Sequence, residues 1–167
     1  MEEQIDGPGD RPLADHVCLA LVAEGPTHGW SLVKDLAEGG PIGRIWSLSR
    51  PLTYRSIERL VSQGLVDRVQ VGRRANLQVT PVGRDVSAAW LLTPVGHLRD
   101  LRTEFLLKIA LCDRAGVGTA PLIDRQRARL RPAIEALTSG AAGDAVGVWR
   151  QESAIAADRF LRRLASP

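Results

Sequence analysis

The sequence is poor in cysteine and has no long apolar run. Its two cysteines, Cys18 and Cys112, lie far apart in apolar helical contexts, which favours buried thiols over a disulfide framework, with a redox or metal role as the alternative. No apolar stretch approaches the roughly 20 residues that a membrane-spanning helix needs. Residues 1–12 are acidic and lack the basic start and apolar run of a secretory signal. We therefore expect a soluble, cytoplasmic protein.

Catalytic and metal-binding motifs are also missing. The chain contains no Gly-rich phosphate-binding loop followed by Lys, no His-Glu-x-x-His and no nucleophile elbow. His16 and Cys18 are two residues apart, which is the wrong spacing for one face of a helix, and no further ligands are evident. His28 stands alone in the first turn of a helix, where a packed or capping role is favoured over a metal ligand. We expect a protein that is not an enzyme and that holds no metal or cofactor.

What the sequence does contain is a segment with an excess of arginine. Residues 1–42 carry two basic and eight acidic residues, whereas residues 43–76 carry seven arginines and two acidic residues. Such a reversal of charge is typical of a surface that faces a polyanion, although solvated helix faces show the same pattern. With 167 residues, of which 44% are hydrophobic, the chain can form one small domain and an extension that needs a partner surface.

Three helices are predicted in the first part of the chain. Apolar residues recur at helical spacing from residue 13 to 24 and again from 30 to 37. Ser49 is the predicted cap of a third helix that has Pro51 in its first turn. On a helical wheel one face of this helix packs, and the other points outward with arginine and hydroxyl groups. The packed face comprises Thr53, Tyr54, Ile57, Leu60 and Val61, and the outward face comprises Leu52, Arg55, Ser56, Arg59 and Ser62.

A β-hairpin and a fourth helix follow. Alternation of apolar and polar residues over 65–71 and 77–79 predicts two strands, and Gly72–Asn76 supplies the turn chemistry between them. Thr80, followed by Pro81, is the predicted start of the fourth helix. The order helix, helix, helix, hairpin is typical of a winged helix-turn-helix, whose third helix can enter the major groove of DNA.

The rest of the chain is predicted to be long helices. The fifth spans His97–Ala115, the sixth is kinked by Pro132, and the last is capped by Asp144. Their apolar stripes are narrow and there is no sheet for them to cover, which suggests a bundle formed between two chains. The tetrapeptide Thr-Pro-Val-Gly occurs at 80–83 and again at 93–96, and we interpret the two copies as two similar helix starts.

These patterns predict a mostly α-helical fold with one small β-hairpin, in which a winged helix-turn-helix domain is followed by a C-terminal helical dimerisation domain. The predicted boundaries are a flexible amino-terminal arm at 1–12, the winged helix at 13–92 and the dimerisation domain at 93–167.

Three motifs, in this order, resemble those of the PadR-like transcriptional regulators. Residues 23–30, Ala-Glu-Gly-Pro-Thr-His-Gly-Trp, resemble the family's Gly-Pro-x-His-Gly-Tyr turn, with Trp30 in place of the usual tyrosine. Residues 52–60 and the following Gln63-Gly64-Leu65-Val66 resemble its recognition-helix signature. Thr80-Pro81-x-Gly83 matches the Thr-Pro-x-Gly that leaves the wing. The resemblance covers about residues 13 to 92.

The resemblance carries further implications. Residues 104–109 and 122–137 look like the virulence-activator-type helical extension of one branch of the family. The family implies a homodimer that presents two recognition helices about one DNA turn (roughly 34 Å) apart to a palindromic operator. The family's recognition tyrosine corresponds to Tyr54, whose hydroxyl would reach a phosphate, and the tyrosine often present in the wing is absent here. Responses to small planar ligands are common in the family.

We therefore expect a sequence-specific regulator of transcription, acting as a repressor that a small-molecule effector relieves. The alternative is a winged-helix module that binds protein and not DNA. The predicted DNA contacts are Arg50, Thr53, Tyr54, Arg55, Arg59, Arg73, Arg74 and Asn76, and the predicted effector contacts are Trp46, Trp90 and Trp149. Replacing Arg55 and Arg59 by alanine is expected to abolish DNA binding and to leave stability nearly unchanged.

Overall fold

The computed structural model describes residues 11–72 and 74–165. In these ranges the elements are, in chain order, α1 (Leu13–Ala23), α2 (Gly29–Leu36), α3 (Arg50–Ser62), β1 (Val66–Val71), β2 (Arg74–Val79), α4 (Pro81–Leu92), a short 3₁₀-helix (Leu98–Arg102), α5 (Glu104–Arg114), α6 (Ala120–Ser139) and α7 (Ala145–Ala165). The predicted fold class, mostly α-helical with one hairpin in winged-helix order, is confirmed. Of the predicted amino-terminal arm, residues 1–10 lie outside the described residues. We refer to residues 13–92 as the head and to residues 93–165 as the tail.

The wing is an antiparallel hairpin tied to the turn before α2. Strands β1 and β2 pair from Val66 opposite Val79 to Val71 opposite Arg74. Gly72 at the turn has a φ of 62°, a left-handed conformation that glycine adopts without strain. Thr27 pairs with Leu77 through two backbone hydrogen bonds of 3.1 and 2.7 Å. These bonds hold the wing beside the helices.

Helix α1 is the centre of the first hydrophobic core. All its residues from 15 to 22 are buried, and α3, α4, β2 and α5 pack around it. A helix that is covered on every side needs apolar residues all round, which explains why α1 carries a nearly continuous run of them. Burying one leucine side chain contributes about 1.5–3 kcal/mol. The position of the third helix is therefore fixed by its packing on α1.

Helix α5 belongs to two cores. Leu107, Leu111 and Cys112 contribute to the first core, which is otherwise formed by the head. Phe105 faces the second core, which forms between the 3₁₀-helix, α6 and α7 and contains Val95, Leu101, Phe105, Leu122, Ile123, Leu130, Ile134, Ala157 and Leu161. Both cysteines are fully buried free thiols, and burial raises the pKa of Cys18 to about 12.

Ion pairs add a second connection between tail and head. Arg114, at the end of α5, donates to both carboxylate oxygens of Glu24 at 2.8 and 2.9 Å and to Asp35 of α2 at 3.1 Å. These hydrogen bonds raise the pKa of Arg114. One side chain of the tail thus holds the end of α1 and the end of α2 together.

The structure corrects three expectations for the tail. The helix predicted over His97–Ala115 is interrupted at Thr103, whose φ of −124° and ψ of −80° separate the 3₁₀-helix from α5. The second copy of the tetrapeptide, at 93–96, starts no α-helix, because residues 93–97 are irregular and the 3₁₀-helix begins only at Leu98. The apolar stripes of α6 and α7 pack largely on each other within one chain, whereas the sequence suggested a bundle between two chains.

None of the helices within the described ranges is long and apolar enough to cross a membrane.

Candidate nucleic-acid interface

Helix α3 begins without a side-chain cap. Ser49 precedes it in an extended conformation but caps no N–H group with its hydroxyl, contrary to the sequence-based prediction. Instead, the hydroxyl of Thr53 donates to the Ser49 carbonyl at 3.1 Å, and Thr53 is fully buried. The prediction that Thr53 contacts DNA is therefore wrong, because its only hydroxyl is used within the helix and has no access to solvent.

Arg59 points toward α1 and not outward. Its guanidinium donates two hydrogen bonds to Asp15, of 2.8 and 2.5 Å, and a third of 3.2 Å to Ser56. Asp15 is buried, with 1% of its side chain exposed, and the bonds to it raise the pKa of Arg59. The predicted outward orientation of Arg59 and Ser56 is corrected, because the buried carboxylate of Asp15 requires a cationic partner.

Arg55 has the environment that the helical wheel predicted. It is exposed on α3, next to the exposed Leu52, and it makes no ion pair or hydrogen bond within the described residues. One turn separates it from Arg59 on the same helix. The guanidinium of Arg55 is therefore available to a partner, unlike that of Arg59.

Arg50 lies at the first position of α3 between two aromatic side chains. Its guanidinium carbon is 5.3 Å from the centroid of the Trp30 ring and 5.8 Å from that of the Tyr54 ring. Trp30 is 50% exposed, although the sequence suggested a core residue. Its exposed role could have been predicted from its position in the sequence. Trp30 directly follows the turn Gly25–Gly29, at the place where the related motif has a tyrosine. Cation–π contacts at these distances orient an arginine.

A cleft lies beside this cluster, between α2, α3 and the wing. It has a volume of about 520 Å³ and is lined by His28, Gly29, Trp30, Ser31, Tyr54, Ile57, Arg68, Ala75 and Leu77. Gly29 lies close to the Tyr54 ring, which would have to shift if a Cβ atom were added, because that atom would lie 2.9 Å from Cε1 of Tyr54. The imidazole Nδ1 of His28 lies 3.4 Å from the carbonyl oxygen of Ala75, which agrees with a packed role for this histidine.

The wing is attached to α3 by an ion pair between Arg68 and Glu58, which lowers the pKa of Glu58. The predicted contact Arg73 lies outside the described residues, and only the backbone of Arg74 is described. Asn76 is not at the tip: it pairs with Val69 within the sheet, and its side-chain oxygen is buried without a hydrogen-bond partner among the described residues. The placement of Asn76 at the exposed turn is thus corrected, because strand β2 already begins at Arg74.

The three tryptophans predicted to contact an effector occupy different environments. Trp46 is half-buried against the first core. Trp90 is buried, and its indole N–H donates to Glu104 at 3.1 Å. Trp149 is 74% exposed and lines a groove of about 930 Å³ between the 3₁₀-helix and α7. Of the three predicted effector contacts, Trp149 is thus the one whose ring is largely exposed and lines a groove.

Trp90 belongs to a buried polar cluster where head and tail meet. The ring of His16 stacks on Trp90 with centroids 4.9 Å apart. The ammonium group of Lys108 lies 4.9 Å from the Trp90 ring, 2.7 Å from Glu104 and 2.7 Å from the carbonyl of Thr93. Burial lowers the pKa of Lys108, and burial with the nearby charge of Arg11 lowers the pKa of His16 to about 4.

Comparisons with known proteins give structural similarities only. No protein-family model and no curated protein matches the chain. The chain is similar to Bacillus subtilis PadR in complex with operator DNA, with 14% identity, 91% of this chain and 97% of that chain covered, and a TM-score of 0.44. For PadR in complex with p-coumaric acid the identity is 14%, the coverage 93% and 98%, and the TM-score 0.47.

A third similar structure is that of the Vibrio cholerae virulence activator AphA, with 18% identity, 91% of each chain covered and a TM-score of 0.43. The winged-helix architecture itself rests on the order and packing of this chain's own elements.

Proposed function

We propose that this protein is a sequence-specific regulator of transcription that binds double-stranded DNA through α3. The observation that carries the proposal is the first half of α3, where Arg50 and Arg55 are both exposed and the guanidinium of Arg50 lies 5.8 Å from the ring of the half-buried Tyr54. An α-helix fits the major groove, and recognition helices contact base edges with their amino-terminal residues. Arg73 and Arg74 of the wing would neutralise flanking phosphates.

The second half of α3 has a supporting role in this proposal. Arg59 fastens α3 to α1 through Asp15, and Arg68 fastens the wing to α3 through Glu58. Both pairs keep the helix and the wing in one orientation, so little ordering is left to be done when DNA binds. Arg59 therefore contributes to binding by positioning α3 and not by touching DNA.

We propose that the regulator is a homodimer that recognises a palindromic operator. Four large apolar side chains of α7 are between 37% and 74% exposed in the single chain, namely Val146, Val148, Trp149 and Ile155. Exposed apolar patches of this kind mark interaction surfaces. A second copy, related by a two-fold axis, would cover the same residues on both chains.

The finer part of the proposal is repression that a small-molecule effector relieves. The groove next to Trp149 supports it, because apolar and aromatic walls with a few polar groups are typical of ligand sites. A planar ligand in this groove would change the fluorescence of Trp149 and would leave that of a Trp149→Phe variant unchanged. A ligand that causes the same change in both proteins binds elsewhere.

The decisive experiment for DNA binding is selection of bound fragments from a random DNA pool by the full-length protein. Recovery of a palindrome is expected, and Arg55→Ala should weaken binding to it by about tenfold or more, since a good base contact contributes about 1–3 kcal/mol. Arg131→Ala removes an exposed arginine from α6 and is the control for net charge. A pool without enrichment would favour the protein-interaction alternative, and equal losses in both variants would contradict the contact between Arg55 and the bases.

Dimer formation has its own matched pair of variants. Val148 on α7 and Val117 between α5 and α6 are exposed to similar extents, 48% and 42%. Val148→Asp is expected to produce monomers in analytical ultracentrifugation, and Val117→Asp is expected to remain dimeric. If both stay dimeric, α7 is not the dimer surface.

A further inference from the structure

We infer that Arg50 reads a guanine in the operator and that Trp30 is the residue that positions it for this task. The inference rests on the proposed DNA binding and adds to it a residue that sets sequence preference. Arg50 occupies the first position of α3, and the amino-terminal residues of a recognition helix are those that contact base edges. Arginine paired to O6 and N7 of guanine is the most common specific contact in the major groove.

Two aromatic rings restrain the same guanidinium. Trp30 comes from the first turn of α2 and Tyr54 from the second turn of α3, and both rings lie within 6 Å of the guanidinium carbon of Arg50. An aromatic ring covers a face of the planar guanidinium and leaves the N–H groups at its edge unused. The edge carries the paired donors that a guanine accepts.

Packing in a hydrophobic core does not explain the position of Trp30. Half of this large apolar side chain is in contact with solvent, and the residue belongs to neither core cluster. Its neighbour Gly29 lets the start of α2 approach the Tyr54 ring, where a Cβ atom would be only 2.9 Å away. The backbone is thus shaped to bring the two rings together around Arg50.

Binding to DNA would cost Arg55 more side-chain conformational entropy than it would cost Arg50. Arg55 has no restraining partner among the described residues, so its side chain must be ordered by DNA. Arg50 is already restrained, and pre-organisation lowers the cost of a contact with defined geometry. Arg50 is therefore suited to discriminate between bases, whereas a mobile Arg55 can follow whichever acceptor is near.

The test measures binding of the full-length protein to its selected operator, to an operator with each guanine of the half-site replaced in turn, and to unrelated DNA. The variants are Trp30→Ala, Trp30→Phe, Arg50→Lys and Arg131→Ala, the last as a control outside the interface. For one guanine position, Trp30→Ala and Arg50→Lys are expected to reduce the preference for guanine about tenfold. Affinity for unrelated DNA should fall much less, because the charge of Arg50 or its substitute remains.

Trp30→Phe keeps an aromatic ring and is expected to retain most of the preference, which a purely structural role of Trp30 does not predict. Arg50→Lys changes an exposed side chain and leaves the fold intact, so the test does not depend on the stability of the Trp30 variants. If the wild-type protein binds its operator and the guanine preference is unchanged in Arg50→Lys, this inference is overturned and the proposed function stands. If the wild-type protein binds no DNA, both are overturned.

Discussion

The tetrapeptide Thr-Pro-Val-Gly occurs once in the head and once in the tail. The first copy starts a helix, whereas the second lies in a connection between two helices. In the head, Thr80 caps α4 by accepting a hydrogen bond of 3.0 Å from the N–H of Gly83, as the sequence predicted. Its hydroxyl also donates to the Gly64 carbonyl at 2.8 Å. Gly83 lies against the backbone, since a Cβ atom there would be 2.1 Å from the carbonyl oxygen of Leu65.

In the tail the same tetrapeptide, at 93–96, lies in the connection between α4 and the 3₁₀-helix. Thr93 precedes Pro94, which disfavours the helical conformation, and α4 ends here with the hydroxyl of Thr93 donating to the Ala89 carbonyl at 2.7 Å. The buried amide of Gln126 satisfies both backbone groups of Val95, at 2.8 and 3.0 Å. Gly96 is exposed, and the nearest atom to a Cβ there is an arginine nitrogen 3.8 Å away. Identical residues are thus assigned their roles by what surrounds them.

The largest expected effect is at the two glycines. Gly83→Ala must displace the backbone of Leu65 and is expected to lower the free energy of unfolding by about 4 kcal/mol. Gly96→Ala, in open space, should change it by less than about 0.5 kcal/mol. Urea denaturation followed by circular dichroism measures both, and similar effects at the two positions would contradict the contrast.

Gln126 stabilises the Thr-Pro-Val-Gly segment of the tail, because its amide bonds both backbone groups of Val95. Gln126→Ala leaves the N–H and carbonyl groups of Val95 buried without partners and is expected to cost about 3 kcal/mol of unfolding free energy. Gln151→Ala is the control, because the amide of Gln151 makes only long hydrogen bonds of 3.4 Å at the surface. If Gln126→Ala lowers the free energy of unfolding no more than Gln151→Ala does, the hydrogen bonds from Gln126 to Val95 do not stabilise the tail segment.

The contact between head and tail is expected to respond to pH. The folded-state pKa of His16 is about 4, against 6.5 for the free side chain, so between these values the unfolded chain binds a proton that the folded chain does not. Stability therefore falls as the pH falls from 6.5 toward 4, by at most about 1.4 kcal/mol per pH unit. Besides burial, the charged groups acting on this ring are Arg11, Glu104, Lys108 and Asp15.

His16→Phe keeps a flat ring against Trp90 and should reduce this pH dependence in thermal melts recorded from pH 7 to pH 4. The exposed His97 provides the control, and His97→Phe should melt with the wild-type dependence. Equal slopes for all three proteins would contradict the assignment to His16.

The smallest expected effect is at the two threonines. Thr80→Ala removes a helix cap and is expected to destabilise the protein by about 1 kcal/mol. Thr93→Ala removes only an exposed bond at a helix end and should cost less than half as much. Differential scanning calorimetry can resolve the pair, and a larger loss at Thr93 would reverse the roles inferred for the two copies.

The sequence predicted well what depends on local pattern. The order of the elements, the cap at Thr80, the wing and the exposed Arg55 all follow from periodicity and from residues close in sequence. The interruption at Thr103 was missed, because the periodic pattern continues through it and only packing in the second core distinguishes the two segments.

The wrong predictions for the candidate site share one physical cause, which is contact between residues that are far apart in the sequence. Arg55 and Arg59 are equivalent on a helical wheel, and the difference between them is Asp15, which lies 44 positions before Arg59. The expectation that both could be removed without loss of stability does not fit this geometry, because Arg59→Ala would leave a buried carboxylate unpaired, at a cost of about 3 kcal/mol. Trp30 was missed because only the fold brings its ring to Arg50.

The shared use of α5 limits how this protein can be divided. A fragment that stops at residue 92 would lack Leu107, Leu111 and Cys112 and would leave the face of α1 that they cover in contact with water. The shortest autonomous head therefore extends through Arg114. A foreign tail could replace the native one only if its first helix supplied matching side chains to both cores, because α5 contributes to both.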